Sequence, residues 1–145
     1  RYVLFSSAFD NKIKNVSLAN SALSQIDNYK LVELKGYKKE QINLLLNASD
    51  LLLVTSISET GPIIVKEALA CNCPIVSTDV GDVKKLINNI KNCYMTSYEA
   101  KDVMRKINLV LMKSKRTNGR KVIKDFTLDK IAIKILPIYK SVLKK

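Results

Sequence analysis

The sequence predicts an α/β domain: a doubly wound parallel sheet of about five strands with helices on both faces. Short apolar runs and helix-period segments alternate about five times along the 145 residues, as strands and crossover helices do in parallel sheets. Leu51 to Val54 is apolar at every position, the pattern of a strand buried on both faces. Twice in succession such a run passes through a polar loop towards a helix. Leu51–Val54 leads through Thr55–Gly61 into Pro62–Ala70, and Pro74–Ser77 leads into the loop Thr78–Gly81. Turns of that kind place their loops on one edge of a parallel sheet, where α/β proteins bind ligands.

In chain order, Tyr2–Phe5 is an apolar strand ending at Ser6-Ser7, followed by a loop that carries Asp10, Lys12 and Lys14. Val16, Leu18, Ala19, Ala22, Leu23 and Ile26 recur at helical spacing. Asp27-Asn28 ends that helix, and Lys30–Leu34 is a short alternating strand that Gly36 terminates. The next helix spans about Lys38–Asn47, with Ile42, Leu45 and Leu46 on one face. After the central stretch, Val83–Asn89 reads as a short helix and Asn92–Thr96 as an edge strand. Ser97 is the expected cap of a helix running to about Met112, whose inner face is Ala100, Val103, Met104, Ile107 and Leu111. Arg120–Lys124 is helical. Thr127 caps a last helix from Leu128, which Pro137 should kink or end near Leu136.

A chain of this length makes one domain with a real core. It starts at Arg1 with a strand almost at once, which predicts a fragment of a longer protein. No signal peptide or spanning run is present. Cys71, Cys73 and Cys93 stand without any histidine, so buried free thiols in a reducing cytoplasm are expected rather than zinc or a redox pair. The charge of +12, from 25 basic and 13 acidic residues, favours anionic partners such as nucleotide phosphates or an acidic membrane face. The bases lie densest in Lys113–Lys124 and Lys140–Lys145. Aromatics make up only 6%, without the basic-aromatic interleaving of base-stacking surfaces, so no nucleic-acid partner is expected.

Neither GxGxxG nor GxxxxGK[ST] occurs, so an anion site must come from a helix terminus plus lysines. Gly61 lets a backbone approach a ligand, and Pro62 suits the first position of a helix. That helix would aim its N–H groups and positive dipole end at an anion. Glu67 follows Pro62 by five residues, about 7.5 Å along the axis, roughly the reach from a diphosphate to a ribose whose hydroxyls a carboxylate accepts. Glu59, just before the helix, lies beside whatever the phosphates carry at their other end. Acidic residues near helix starts are common, so Glu59 alone is also read as a dipole partner. Glu67, on an otherwise apolar helix, needs polar company.

The run from Asn47 to Ile87 resembles the C-terminal domain of group 1 (family 4) retaining glycosyltransferases, with Glu59 and Glu67 on that family's E-x7-E signature. The opening F-S-S-A-F-D-N-K-I-K-N is similar to the family's first strand and phosphate loop, with Lys14 in the place of its lysine. The resemblance implies a Rossmann-like domain, the C-terminal half of a GT-B fold, with the N-terminal acceptor domain absent from this fragment. It implies that Glu59 and Lys14 are catalytic, Glu59 at the transferred sugar and Lys14 on the leaving diphosphate. Glu67 would hold the ribose, and Ser7, Lys12, Gly36, Thr60, Gly61, Pro62 and Ile63 would complete the nucleotide-sugar contacts.

The implied reaction needs no metal or other cofactor and retains anomeric configuration; no D-x-D is present. The donor would be a UDP-, GDP- or ADP-sugar, the acceptor a glycan or lipid-linked sugar, and the fragment alone inactive. The parent would be cytoplasmic, resting peripherally on the inner, anionic membrane face. Three departures stand out. The family's arginine after the first strand is missing, which leaves two readings: Lys12 substitutes for it, or the phosphate clamp is weaker. The stretch from Asn15 to Gly36 is short by about a strand and a helix. Asn72 replaces a glycine, though asparagine tolerates the left-handed conformation of a helix end. Two other readings are a non-catalytic basic α/β module for anions or nucleic acid, and a related sugar-nucleotide epimerase.

Overall fold

In the computed structural model, which describes residues 1–143, five parallel strands form one sheet. They are β1 (Tyr2–Phe5), β2 (Lys30–Glu33), β3 (Leu51–Val54), β4 (Ile75–Thr78) and β5 (Cys93–Thr96), ordered β2-β1-β3-β4-β5. All five expected strands are present within two residues of their expected bounds. β4 starts after Pro74 because proline has no N–H for the ladder; its carbonyl still accepts from Leu52 N–H at 2.8 Å. β3 pairs with β1 (Leu4 opposite Leu52) and with β4 (Leu52 opposite Ile75), and all four of its side chains are buried.

Alternation along the strands divides the core in two. Leu4, Leu52, Val54 and Ile75 pack under α2 (Lys39–Ala48), α3 (Ile63–Ala70) and α4 (Val83–Ile87) through Leu46, Val65, Leu69 and Leu86. Val3, Phe5, Leu51, Leu53 and Val76 pack on the other face under α1 (Val16–Leu23) and α5 (Ala100–Lys113) through Leu18, Ala22, Val103 and Ile107. Each fully buried leucine stabilises the fold by about 1.5–3 kcal/mol relative to exposure. This is the doubly wound arrangement, and it leaves both loop-bearing turns at the C-terminal sheet edge.

Helix ends differ from expectation in instructive ways. Asn72 does end the α3 turn in the left-handed region at φ 53°. Ser97 is not the cap of α5. Glu99 holds that position, and Asp102 reaches back to accept from Ser97 N–H (2.9 Å) and Thr96 Oγ1 (3.0 Å). A carboxylate one turn in satisfies the entry more strongly than a hydroxyl. Pro137 does not end the last helix either: after α6 (Arg120–Ile123), α7 runs Leu128–Leu143 with Pro137 inside. Ile133, whose carbonyl loses its partner there, is solvent-exposed, which lowers the cost of the missing N–H. α7 has no buried residue. Among the described residues no helix is long and apolar enough to cross a membrane.

The Asp102 carboxyl is held at about 2, first by the Ser97 N–H, against burial, with Arg105 and Thr96 adding to the effect. Its folded value lies below the ordinary 3.8, so its contribution is complete above that pH and disappears as pH falls through about 2. The stability gap between wild type and Asp102→Asn should therefore be widest at neutral pH and close across that window. Denaturant titrations at several pH values check this; a gap independent of pH would contradict it.

Candidate functional site

β1 is flanked by β2 on one side and β3 on the other, so the chain reverses direction across the sheet at β1. The crevice at the C-terminal ends of β1 and β3 is the topological switch point. The loops after these two strands are laced together. Ile57 N–H donates to the Ile13 carbonyl at 2.8 Å, and Thr55 Oγ1 lies 2.9 Å from the carbonyls of both Lys14 and Asn15. Lys12–Lys14 forms a 3-10 turn, started by Asn11, whose side chain accepts from Ile13 N–H (3.1 Å), and ended by left-handed Asn15. The turn delivers Lys14 to Glu59: Nζ donates to Oε1, and Ser56 Oγ donates to the same oxygen at 2.9 Å. The two side chains are only 17% and 15% exposed. Burying such a pair gains little stability, which makes a stabilising role a weak explanation for its placement.

The loop after β4 supports this arrangement from beneath. Thr78 Oγ1 donates to the Ser56 carbonyl at 2.7 Å. Gly81, at φ 54°, packs so close that a Cβ would lie 2.9 Å from the Thr60 carbonyl group. Asp82 lies against Gly61 and pairs with Lys66 at 2.7 Å, leaving its Oδ1 buried without a partner. Tyr98 OH reaches over from the loop before α5 to the Ser56 carbonyl at 3.2 Å. Gly81→Ala should cost about 1–3 kcal/mol from backbone strain, plus the clash with Thr60. Gly36→Ala, also at positive φ but in open space, should cost less. Equal urea midpoints for the two variants would contradict this.

Of the expected residues, the fold brings Lys14 and Glu59 together, with Thr60 and Gly61 in the adjoining turn. Pro62 stands one place earlier than expected, at the N-cap with ψ 116°, and Ile63 opens the helix. Its φ of −65° is the same in either position, so the shift costs proline nothing. Ser7 ties this region to the loop after β2 by accepting from Leu34 N–H at 3.1 Å. Lys12 is exposed and forms no ion pair among the described residues; Gly36 is exposed in the turn before α2. Glu67 lies away from the Lys14–Glu59 pair, in a recess of about 190 Å³ between α2 and α3, with Lys39 and Asn43.

Ser56, Thr55, Asp82 and Lys39 were missed. Ser56 had a local signal, a hydroxyl three residues before Glu59; Lys39 and Asp82 meet the site only through tertiary packing. The three cysteines are free and buried. Burial raises all three thiols, Cys93 to about 12, which disfavours the thiolate form. Among the described residues no group of three or more Cys, Asp or Glu side chains is placed to hold a metal.

Comparison with known proteins bears on the fold and the family. The fold matches sucrose-phosphate synthase from Thermosynechococcus elongatus with a TM-score of 0.88 at 18% identity, covering 99% of this chain and 45% of that one. It matches a glycosyltransferase from Rickettsia africae ESF-5 with TM-score 0.81 at 18% identity, covering 99% and 48%. Anabaena HepE, in complex with UDP and glucose, gives 0.78 at 18%, covering 97% and 48%. The chain thus spans about half the length of these structures and has the Rossmann-like fold of GT-B C-terminal domains. No curated protein matches the sequence. The family model for glycosyl transferases group 1 matches residues 19–124, most of the chain and all of its strands but β1. The chain belongs to the group 1 glycosyl transferases.

Proposed function

We propose that this chain is the donor half of a two-domain enzyme that transfers a sugar from a nucleotide-sugar to an acceptor held by an N-terminal domain. The observation that carries the reading is the convergence of Lys14 and Glu59, from separate loops, at the switch point of the sheet. On donor binding, Lys14 exchanges Glu59 for the diphosphate and stabilises the charge that grows as the sugar–phosphate bond breaks. The first-turn N–H groups of α3 add to that. Glu59, released from Lys14 but still held by Ser56, is then free to accept from sugar hydroxyls, and Glu67 accepts from the ribose.

A lysine and a helix terminus supply the electrostatics that a metal would supply elsewhere. We accordingly assign metal-independent transfer with retention, by same-face attack. A UDP-sugar is a reasonable first donor to test, because Anabaena HepE binds UDP and glucose. The two-domain reading also gives the exposed apolar side chains of α7 a surface to cover them. The acceptor is a glycan or lipid-linked sugar, and the excess positive charge suits an anionic cytoplasmic membrane face.

Calorimetric titration of the domain with UDP, GDP, ADP and their sugars tests the proposal. Binding that discriminates between bases, survives moderate salt and fails in Glu67→Ala supports it. Binding that follows only phosphate number and fades with salt marks a basic anion-binding module instead.

A further inference from the structure

At the opposite edge of the sheet, before β5, lies a second and separate basic recess. It has a volume of about 540 Å³ and is lined by Lys91, Asn92, Lys113, Lys115 and Arg116. Four of its five lining residues are cations, and none of the four forms an ion pair with a carboxylate among the described residues. Asp50, which lines an adjoining recess with Lys115 and Arg116, is already engaged by Tyr2 N–H at 2.8 Å. The C-terminal dipole of α5 accounts for Lys113 in its last turn. It does not account for Lys91, on another segment, or for Arg116.

The floor of the recess is held in place. Arg116 donates to the carbonyls of Ser49 (2.7 Å), Leu46 (2.6 Å) and Cys71 (3.0 Å) and forms no ion pair among the described residues. Asn92, left-handed and 7% exposed, donates from Nδ2 to the Lys115 carbonyl at 2.7 Å. Its Oδ1 is buried without a donor; it is an acceptor that a water or the hydroxyl of a polyol can satisfy, not the phosphate itself. The Asn118 side chain accepts from Lys91 N–H at 3.3 Å, and Lys113 Nζ donates to Tyr94 OH at 2.7 Å. The ammonium groups of Lys91 and Lys115 therefore project from a fixed backbone and form no ion pair among the described residues.

We propose that this recess binds a phosphate ester, with Lys91 and Lys115 closing on the phosphate and Arg116 supplying fixed charge behind them. The inference goes beyond the donor site and does not rest on it, because the two lie at opposite ends of the strands. A free phosphorylated polyol and a phosphoglycerol lipid headgroup share this chemistry, and the two arms of the test separate them.

In the first arm, glycerol 3-phosphate is titrated at low ionic strength while backbone amide shifts are followed. In the second, vesicles of phosphatidylglycerol or of phosphatidylcholine are sedimented with the protein. Both arms compare wild type with Lys91→Gln/Lys115→Gln, whose exposed positions leave the fold intact. A soluble ligand shifts Asn92, Cys93 and Lys115–Thr117 in saturable fashion, and the double variant weakens it by about tenfold or more. A lipid ligand leaves the first arm silent, while phosphatidylglycerol vesicles alone retain the wild type and the double variant is released. Shifts confined to Lys12–Asn15 and Ser56–Ile64, binding unaffected by the double variant, or no response in either arm overturns the proposal.

Discussion

Glu67→Ala should weaken a bare nucleoside diphosphate and its nucleotide-sugar alike, by about ten- to a hundredfold, the loss of hydrogen bonds to a charged acceptor. The expectation follows from where the side chain stands. It leaves α3 five residues beyond Pro62, faces the start of α2 across the recess shared with Lys39, and forms no ion pair among the described residues. A carboxylate that is half-buried yet unpaired is available to ribose hydroxyls. Because it holds nothing else together, the variant should unfold at nearly the wild-type denaturant concentration. Calorimetry on the folded variant checks the prediction, and undiminished diphosphate binding contradicts it.

Glu59→Gln should behave in the opposite way. Bare diphosphate binding should not weaken, because the change removes the carboxylate that competes with phosphate for Lys14. In the two-domain enzyme, turnover should fall by about a hundredfold or more while donor affinity changes little, the signature of a contact that matters in the transition state. Single-turnover and binding measurements on the same variant separate the two effects. If both glutamates were merely structural, both variants would lose thermal stability and neither contrast would appear. A Glu59 variant whose diphosphate affinity falls as much as that of Glu67→Ala would remove the division of roles.

The sheet was legible because each strand is a short apolar or alternating run between turn residues, and β3, apolar throughout, occupies the centre. Helix ends were less so. Whether Ser97 or Asp102 satisfies the entry to α5 depends on which side chain reaches back, and both residue types signal a helix start. Pro137 signals a kink or an end because it removes a helix hydrogen bond; exposure of α7 lowers that cost, and the helix continues past it. At the site, the spacing of Glu59, Gly61 and Glu67 was informative because a strand, a loop and a helix start fix their relative places within a few residues. Lys14 came from the resemblance, and its partner from the structure: the two are joined across 45 positions. Thr78, Gly81 and Asp82 support the loop through contacts that no local pattern announces.

The most direct measurement of the central claim is an amide shift map of the domain titrated with the best-bound nucleoside diphosphate. The account predicts that the perturbed residues are Lys12–Asn15 and Ser56–Ile64 at the C-terminal edge of the sheet, with Glu67 and Lys39 in the recess between α2 and α3. A map that left Lys14, Glu59 and Glu67 unmoved and placed the nucleotide elsewhere would contradict it.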